Sequence, residues 1–439
     1  MAFEVFIEKA RDYRMRTYKP RVADKLLRQK LEGKGAVLVE GAKWCGKTTT
    51  SEQLSKSVVY MSDPEKGQEY LDMASLYPRR LLEGKTPRLI DEWQLAPQLW
   101  DAVRFEVDHR DDALGQFILT GSTVPPRMNE IHHTGTGRIA RLKMRPMTLH
   151  EAGDTVGSVS LGSLFKDGYE INGSNSIDLE RMAFLVCRGG WPLSVGMRES
   201  TGLEQAFDYC ESIVNSDISR VDNVTRNPER VKRLMKSYAR LQGTQSPVTV
   251  IREDMLANDS SRIGEDTVHG YILALKQIFV IEDIVAWNPN LRSKSAIRAS
   301  DTRYFTDPSI ATASLGLGPD DLMYDLNTFG LLFETLCMRD LRVYAEANGG
   351  QVYHYRDSSG LECDAVIHLR NGSYGLVEIK LGGSRLIEEG MATLRKLASK
   401  LDTSRMKAPS FKMVLTATGD YAYKGKDDIL IVPIGCLKD

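Results

Sequence analysis

The chain has 439 residues, a length that predicts two to four domains, and its hydrophobic (42%) and charged (27%) fractions are ordinary for a globular protein. Its 58 Lys and Arg residues nearly balance its 59 Asp and Glu residues, so contact with nucleic acid would require a local basic patch. No apolar run approaches the roughly 18 residues that span a bilayer, no signal peptide is visible at the N-terminus, and the six cysteines form no CxxC pair. We therefore expect a cytoplasmic protein with reduced thiols, without a zinc site and without membrane contact.

The first half of the chain begins with a basic, helical segment at residues 1–34, followed by an α/β pattern at residues 35–152. In the latter, short apolar runs alternate with amphipathic segments, which is typical of a parallel sheet covered by helices. The pattern predicts strands at 35–40, 57–63, 88–92, 116–122 and 140–147. It predicts helices after the glycine loop near residue 46, at 67–83 and at 95–109.

The second half divides by pattern into four segments. Residues 153–176 are rich in Gly and Ser and are interpreted as a linker or surface excursion, and residues 177–245 are mostly helical in pattern. Residues 246–320 contain a turn–helix–turn–helix pattern with a return strand, which resembles a winged helix. Residues 327–439 predict a separate α/β unit, with helices at 327–347 and 385–400 and strands at 351–356, 361–369, 374–380, 411–417 and 429–433.

The stretch GAKWCGKT, residues 41–48, matches G-x-x-x-x-G-K-[ST] between an apolar run and a predicted helix. Glycines let the backbone turn tightly, so that consecutive N–H groups point at phosphate oxygens near a helix N-terminus. Lys47 is predicted to bridge the β- and γ-phosphates, and the Thr48 hydroxyl to ligate Mg²⁺. The predicted nucleotide-binding residues are Gly41, Ala42, Lys43, Trp44, Cys45, Gly46, Lys47, Thr48, Thr49 and Ser122.

The strand RLIDE ends in two acids, Asp91 and Glu92. Asp91 is placed to hold Mg²⁺ and Glu92 to act as the general base that activates water. The next strand ends in ILTGST, so Thr120 or Ser122 is a candidate reader of the γ-phosphate, although a plain serine turn fits the pattern almost as well. These acids favour hydrolysis over binding alone.

Three arginines follow, at positions 138, 141 and 145. Arg138 lies on a glycine-rich turn and is the candidate that neutralises charge on the γ-phosphoryl group, in cis or on a neighbouring subunit. A surface salt bridge is the alternative for Arg138, and it is the preferred interpretation for the other two.

This series of motifs resembles the prokaryotic AAA+-type P-loop ATPases, and among them the branch fused to a C-terminal domain of unknown function with a restriction-endonuclease-like core. The resemblance rests on these segments: GAVLVEGAKWCGKTTT, YMSDP, RLIDEWQ, FILTGST, GRIARLKMRPMTLHE, LNTFGLLFETL and LECDAVIHLRNGSYGLVEIKLGG. It covers most of the chain. It implies ATP as the nucleotide, a parallel sheet of strand order 5-1-4-3-2, a winged helix, and a C-terminal nuclease-like α/β domain.

In that C-terminal domain, Asp364, an Asn-Gly turn, and Glu378-Ile-Lys380 have the layout of the PD-(D/E)xK nucleases. Residues two apart on a strand share a face, so Glu378 and Lys380 are predicted to lie beside Asp364 on the neighbouring strand. Asp364, Glu378 and Glu334 are the candidate Mg²⁺ ligands, and Lys380 would position the attacking water. An ordinary charged strand is the alternative, and Cys363 stands where the family has proline.

The winged-helix candidate has its recognition helix at 265–277, which opens with Glu265 and Asp266 and therefore suits DNA phosphates poorly. The basic stretch after it contains Arg292, Lys294, Arg298 and Arg303 and is either a wing that contacts DNA or a hairpin that docks on another domain.

We expect an ATP-binding and ATP-hydrolysing protein, with Mg²⁺, whose nucleotide cycle drives or gates a nuclease-like domain acting on DNA. The alternative is an ATP-dependent molecular switch whose C-terminal domain binds nucleic acid or protein without cutting. The sequence leaves open a homo-oligomer or a partner protein.

Overall fold

The computed structural model of the protein describes residues 18–111, 113–123, 135–221, 224–257, 263–289, 300–404 and 406–439. After helix α1 (Val22–Gly33) come five parallel strands: β1 (Ala36–Glu40), β2 (Ser57–Tyr60), β3 (Arg88–Asp91), β4 (Phe117–Gly121) and β5 (Ile139–Lys143). Their order across the sheet is β2-β3-β4-β1-β5, which confirms the predicted 5-1-4-3-2. Alternate residues of β1 enter two different cores, so both faces of this sheet are covered.

Prolines explain most of the differences between the predicted and observed boundaries in this region. The helices are α2 (Lys47–Glu52), α3 (Gly67–Leu76), α4 (Pro78–Leu81) and α5 (Leu99–His109). The helix predicted at 67–83 is divided at Tyr77, because Pro78 disfavours helical backbone in the residue before it. The helix predicted at 95–109 begins only after Pro97, and β5 stops short of Pro146.

The segment 153–176 is packed against the C-terminal part of the chain, so its interpretation as a linker is wrong, whereas many of its residues are exposed, as a surface excursion requires. It follows α6 (Leu149–Ala152) and contains β6 (Val159–Ser160), which pairs in parallel with the strand Leu437–Lys438 at the C-terminus. Leu161 and Leu164 are fully buried. The Asn175 side chain donates to the Gly419 carbonyl at 2.9 Å.

The central region is helical, as predicted, and ends in a bridged hairpin. Its elements are α7 (Leu179–Arg188), α8 (Glu199–Ser212), a π-helical turn (Ile213–Asp217), α9 (Ile218–Arg220), α10 (Pro228–Arg240), α11 (Val248–Leu256) and α12 (Glu265–Gln277). Ile281 pairs with Phe305 and Ile284 with Thr302 in antiparallel bridges. Arg292, Lys294 and Arg298 lie outside the described residues, and the winged-helix assignment stays a prediction.

The C-terminal region contains a six-stranded mixed sheet. Its helices are α13 (Pro308–Leu315), α14 (Pro319–Tyr324), α15 (Leu326–Ala347) and α16 (Ser384–Lys400), and its strands are β7 (Gly350–Arg356), β8 (Glu362–Leu369), β9 (Tyr374–Lys380), β10 (Phe411–Thr416), β11 (Tyr423–Lys424) and β12 (Ile429–Pro433), with β13 (Leu437–Lys438) pairing β6. The order is β11-β12-β10-β9-β8-β7. Strands β7, β8 and β9 are antiparallel, whereas β10 runs parallel to β9 after α16.

Helix α15 joins the regions, because most of its side chains are buried on every side. The largest hydrophobic core extends without a break from α1 and β1 through the central helices to α15 and the C-terminal sheet. Within the described residues, no helix is both long and apolar enough to cross a membrane.

Candidate functional sites

The loop between β1 and α2 has a backbone that only glycine permits at two of its positions. A Cβ on Gly41 would come within 2.0 Å of the Met144 carbonyl oxygen, and Gly46 has φ 100° at the start of α2. Trp44 also has a positive φ of 66°. This strained turn keeps the loop close to the end of β5 and leaves its N–H groups at the helix N-terminus.

Helix α2 begins with Lys47 and Thr48, whose side chains form hydrogen bonds to different groups. The Lys47 ammonium is buried and donates to the carbonyls of Gly41 (3.0 Å) and Ala42 (2.9 Å). The Thr48 hydroxyl donates to the Asp91 carboxylate at 2.7 Å. Both of the predicted Mg²⁺ ligands of this site, Thr48 and Asp91, therefore lie in direct contact.

Thr120 organises the acids at the end of β3. Its hydroxyl donates to Asp91 at 2.6 Å and accepts from the Glu92 N–H at 3.2 Å, and the side chain is completely buried. The sequence motif offered Thr120 and Ser122 as equal candidates for reading phosphate. In the structure, Thr120 instead holds Asp91 and the backbone of Glu92 in place.

Glu92 has left-handed backbone, with φ 56° and ψ 45°. The Ser122 hydroxyl donates to its carboxylate at 3.2 Å, and the Gln94 amide donates to the same oxygen. Glu92 is therefore held by side chains from two elements beside the Asp91 carboxylate. Contact of Ser122 with a γ-phosphate stays a prediction.

Two loop residues contact the central helices, and no pattern in the sequence predicts these contacts. Lys43 forms an ion pair with Asp217 of the π-helical turn at 2.6 Å. The Trp44 ring lies 5.4 Å from the Tyr209 ring, which in turn lies 4.5 Å from Trp191. The phosphate loop is thus fixed to the region that follows the sheet.

Arg21, at the start of α1, supports the loop from the other side. Its guanidinium donates to the carbonyls of Cys45 (3.0 Å) and Arg145 (2.9 Å), and it pairs with Glu151 at 3.2 Å. The basic composition of the N-terminal segment was visible in the sequence, but no spacing connected Arg21 to the glycine loop.

Arg138 lies at the wrong end of the sheet for a role at this chain's own phosphate loop. Its carbonyl accepts from the N–H of Ala36, the first residue of β1, whereas the loop follows the last residue of that strand. Its side chain is half exposed and pairs with Asp108 at 2.8 Å. The role in cis is therefore wrong, because parallel strands place the residue before β5 at the amino edge. A role on a neighbouring subunit stays a prediction.

The other two arginines are paired as well. Arg141 pairs with Glu40 at 2.9 Å. Arg145 is nearly buried and pairs with Glu282 of the hairpin and Glu346 of α15, at 2.8 Å and 3.0 Å. Arg145 therefore joins the three regions of the chain.

The C-terminal residues Asp364, Glu378 and Lys380 meet on β8 and β9, as their spacing predicted. The Lys380 ammonium lies between the two carboxylates, 3.2 Å from Asp364 and 2.8 Å from Glu378. Asp364 also accepts from the Ile379 N–H at 2.7 Å. Glu334 of α15 belongs to the same cluster and accepts a hydrogen bond from the Tyr304 hydroxyl.

This cluster contains more acid than its one cation balances. Burial and, after it, the neighbouring Asp364 carboxylate together raise the pKa of Glu378 to about 8, and the same two causes raise the pKa of Glu334 to about 8. Burial would lower the pKa of Lys380, but its ion pairs outweigh burial and raise it above its usual value. The cluster as a whole therefore retains a proton at neutral pH.

The predicted metal set of Glu334, Asp364 and Glu378 is not arranged around a shared ion position. In the described part of the chain, no group of three or more His, Cys, Asp or Glu side chains is placed to hold a metal ion. Lys380 takes the position between two of these carboxylates. A divalent cation at this place would require the lysine to move.

The described part of the hairpin is engaged inside the protein. Arg303 pairs with Asp283 at 2.9 Å and is mostly buried, and Trp287 packs against Tyr374 of the C-terminal sheet at 5.0 Å. These contacts support interdomain docking. Glu265 and Asp266 open α12 on its exposed side.

Three family models match consecutive parts of the chain. Residues 33–153 match an AAA domain, residues 179–321 a domain of unknown function (DUF8612), and residues 329–437 another domain of unknown function (DUF4143). The chain therefore contains an AAA-type P-loop ATPase-like domain in its first half, and this class implies nucleotide binding. The other two matches assign no activity.

Two curated relatives are similar over most of their length. The chain is 22% identical over 411 residues to the uncharacterized proteins Rv2008c of Mycobacterium tuberculosis and Mb2031c of Mycobacterium bovis, covering 93% of this chain and 82% of each relative.

Among solved structures, the Walker-type ATPase PABY2304 of Pyrococcus abyssi is similar with a TM-score of 0.40 and 14% identity, over 66% of this chain and 94% of that one. The ORC1 protein of Aeropyrum pernix, in complex with DNA, has a TM-score of 0.26 and 14% identity, over 71% and 95%. These similarities are too distant to support any conclusion about this protein.

Proposed function

We propose that the protein is an ATP hydrolase whose nucleotide state gates the action of its C-terminal domain on DNA. The hydrogen-bonded unit of Thr48, Asp91 and Thr120, with Glu92 next to it, carries the hydrolase proposal. Phosphoryl transfer is catalysed chiefly by positioning and by electrostatic stabilisation, which is what this unit supplies.

The loop residues fit a nucleoside triphosphate with Mg²⁺. Gly41 leaves no room for a side chain beside Met144, Lys47 places an ammonium inside the loop, and the oxygens of Thr48 and Asp91 are hard ligands of the kind that Mg²⁺ prefers. When bound, the ion neutralises phosphate charge. Lys47 exchanges its loop carbonyls for phosphate oxygens, and Glu92 orients a water and accepts its proton.

Turnover and binding measured together test the hydrolase proposal. Glu92→Gln removes the base but keeps the side-chain shape, so we expect ATP to bind normally while phosphate release falls by at least about 100-fold. Glu83→Gln, an exposed acid in the same domain, is the matched control and should behave as wild type. Normal turnover in Glu92→Gln would refute the assignment, and unchanged ATP affinity in Lys47→Ala would refute the loop.

Gating is supported by the helix that carries Glu334. On α15, Arg339 is completely buried and pairs with Asp307 at 2.9 Å and with Asp340 at 2.8 Å. Asp340 accepts from the Leu149 N–H at 2.9 Å, a few residues beyond β5. A displacement at the end of the AAA domain would therefore reach the helix of the C-terminal cluster.

The action that the C-terminal domain would perform on DNA is either cleavage or binding alone. The three antiparallel strands, the helix and the parallel strand that follow α15 support a restriction-endonuclease-like core, and they bring Asp364, Glu378 and Lys380 together. The ion pairs of Lys380 do not fit a bound metal in this arrangement, so no cleavage step is assigned. That observation favours the second candidate, a switch whose C-terminal domain binds DNA without cutting.

A cleavage assay separates the two candidates. Plasmid and single-stranded DNA are incubated with ATP and Mg²⁺, using wild type, Asp364→Ala and Lys380→Ala. Cleavage by wild type that both variants lose would establish the nuclease. Binding without cleavage at any ATP concentration would establish the switch.

A further inference from the structure

A cleft of about 330 Å³ lies where the three regions of the chain meet. Its walls come from the end of β5, the hairpin residues 282–285, α15, β7 and the turn after β8. Small-molecule sites in proteins have volumes of about 300–1,000 Å³, so the cleft has room for a small ligand. None of the described residues that line it belongs to the phosphate loop, 41–48.

Cations outnumber the acids that can balance them along this cleft. The lining cations are Lys143, Arg145, Arg342 and Arg370. The lining acids are Glu282, Asp283 and Glu346. Asp283 is already paired with two cations outside the cleft, Lys276 at 2.7 Å and Arg303 at 2.9 Å. Among the described residues, four cations are thus left with two carboxylates.

Glu282 is shared by three of these four cations. Arg145 donates to both of its carboxylate oxygens, at 2.8 Å and 2.9 Å. The Lys143 ammonium lies 3.2 Å from one of these oxygens, and the Arg342 Nη1 atom lies 3.4 Å from the other. The second acid, Glu346, lies 3.0 Å from Arg145. Arg342 therefore has no carboxylate of its own.

Arg342 is buried, with 7% of its surface exposed. Its Nη2 atom donates to the Glu282 carbonyl, whereas its Nη1 atom makes no hydrogen bond within the described part of the chain. Burial lowers the pKa of Arg342, because a shared carboxylate does not offset the loss of water. Arg339, one turn earlier on α15, is just as buried, but it pairs with two carboxylates and its pKa is raised. A buried guanidinium normally has an acceptor for each donor, and the cleft is where one can reach Arg342.

Arg370, in the turn after β8, lines the same cleft and is exposed. Its side chain has no ion pair or hydrogen bond with any residue that the structure describes. An exposed cation of this kind is ordinary by itself, and Lys396 on α16 is another. Arg370 differs because it lies at a cleft that already contains a buried arginine with a donor to spare.

We propose that this cleft binds a phosphate dianion, either free or as the monoester group of a small molecule. Two negative charges balance the surplus of two cations, and the planar fork of a guanidinium matches the geometry of phosphate oxygens. The site is a second anion site, separate from the phosphate loop, and it goes beyond the proposed function. Because Lys143 ends β5 and Arg342 belongs to α15, a bound phosphate holds the AAA domain and the C-terminal sheet in one arrangement.

Phosphate binding is measured in a chain whose phosphate loop is disabled. The Lys47→Ala protein is titrated by calorimetry with inorganic phosphate, ribose 5-phosphate and succinate at about pH 8, where both phosphates are chiefly dianions. We expect the phosphates to bind and succinate not to bind. Adding Arg370→Ala or Lys143→Ala should weaken binding by at least about 10-fold, because a hydrogen bond to a charged group contributes that much affinity.

The two phosphates distinguish the sources of the ligand. Binding of both supports the site and shows that the phosphate group is sufficient. Binding of ribose 5-phosphate alone supports the site and identifies a phosphomonoester as the ligand, whereas binding of inorganic phosphate alone identifies the free ion.

The matched control is Lys396→Ala in the same background, which removes an exposed cation from α16 and should leave binding unchanged. Equal thermal midpoints without ligand verify that the variants fold. Binding that neither Arg370→Ala nor Lys143→Ala weakens would overturn the site, as would binding of succinate alone or of no probe at millimolar concentrations. The titrations require no ATP turnover, so a failure of the hydrolase proposal and a failure of this inference are distinguishable.

Discussion

Thr120 offers the sharpest test of how Asp91 and Glu92, the acids of the proposed hydrolytic site, are held in place. Thr120→Val replaces the hydroxyl by a methyl group of similar size, so the fully buried position stays filled. The change removes the 2.6 Å hydrogen bond to Asp91 and leaves the Glu92 N–H without its acceptor. A hydrogen bond to a charged group contributes about 1.5–3 kcal/mol, so we expect kcat to fall by roughly 10- to 150-fold.

The assay separates positioning from a general loss of structure. Phosphate release is measured over a Mg²⁺ titration, and ATP binding is measured without Mg²⁺. The variant should bind ATP like wild type, require more Mg²⁺ and turn over slowly, while Thr120→Ser should restore turnover because it retains the hydroxyl. Thr416→Val is the matched control, since the buried Thr416 hydroxyl has no partner among the described residues. Wild-type kcat in Thr120→Val would refute the reasoning.

Two further predictions concern buried charge. Asp307→Ala leaves the buried Arg339 with one carboxylate, so the free energy of unfolding measured in urea should fall by about 3–5 kcal/mol. The exposed Asp320→Ala should leave it unchanged. An equal loss in both variants would contradict the role of the Arg339–Asp307 ion pair. Burial, together with the neighbouring Asp364 carboxylate, raises the pKa of Glu378 to about 8. Between about pH 4.5 and about pH 8, the folded state therefore holds a proton that the unfolded state has released. The stability of the fold should fall as pH rises through this window. Glu378→Gln should flatten that part of the thermal-midpoint profile, while the exposed Glu362→Gln should not; a profile unchanged by Glu378→Gln would contradict the shift.

The parallel sheet could be predicted because its signals are local. The apolar runs mark its strands, and the resemblance carried by the motifs around Lys47 and Asp91 supplied their order. Residues two apart on a strand share a face, and this rule predicted that Glu378 and Lys380 lie beside Asp364, as the structure shows. What spacing cannot decide is the partner that each group takes: the Lys380 ammonium pairs with both carboxylates.

Other features depended on where distant segments meet. Arg138 looked suitable because it lies on a glycine turn, yet the direction of β5 puts that turn at the amino edge of the sheet. Arg21 and Asp217 contact the phosphate loop from far away in the chain, and no local pattern announces such a contact.

Because β6 pairs with β13, the C-terminal unit is completed by a segment that lies far before it in the sequence. A fragment containing residues 327–439 alone would lack the partner of its last strand and the buried Leu161 and Leu164. It would expose an unpaired edge and an apolar surface, both of which promote aggregation. The C-terminal unit is therefore discontinuous, and supplying residues 153–176 as a separate peptide should restore solubility to the fragment.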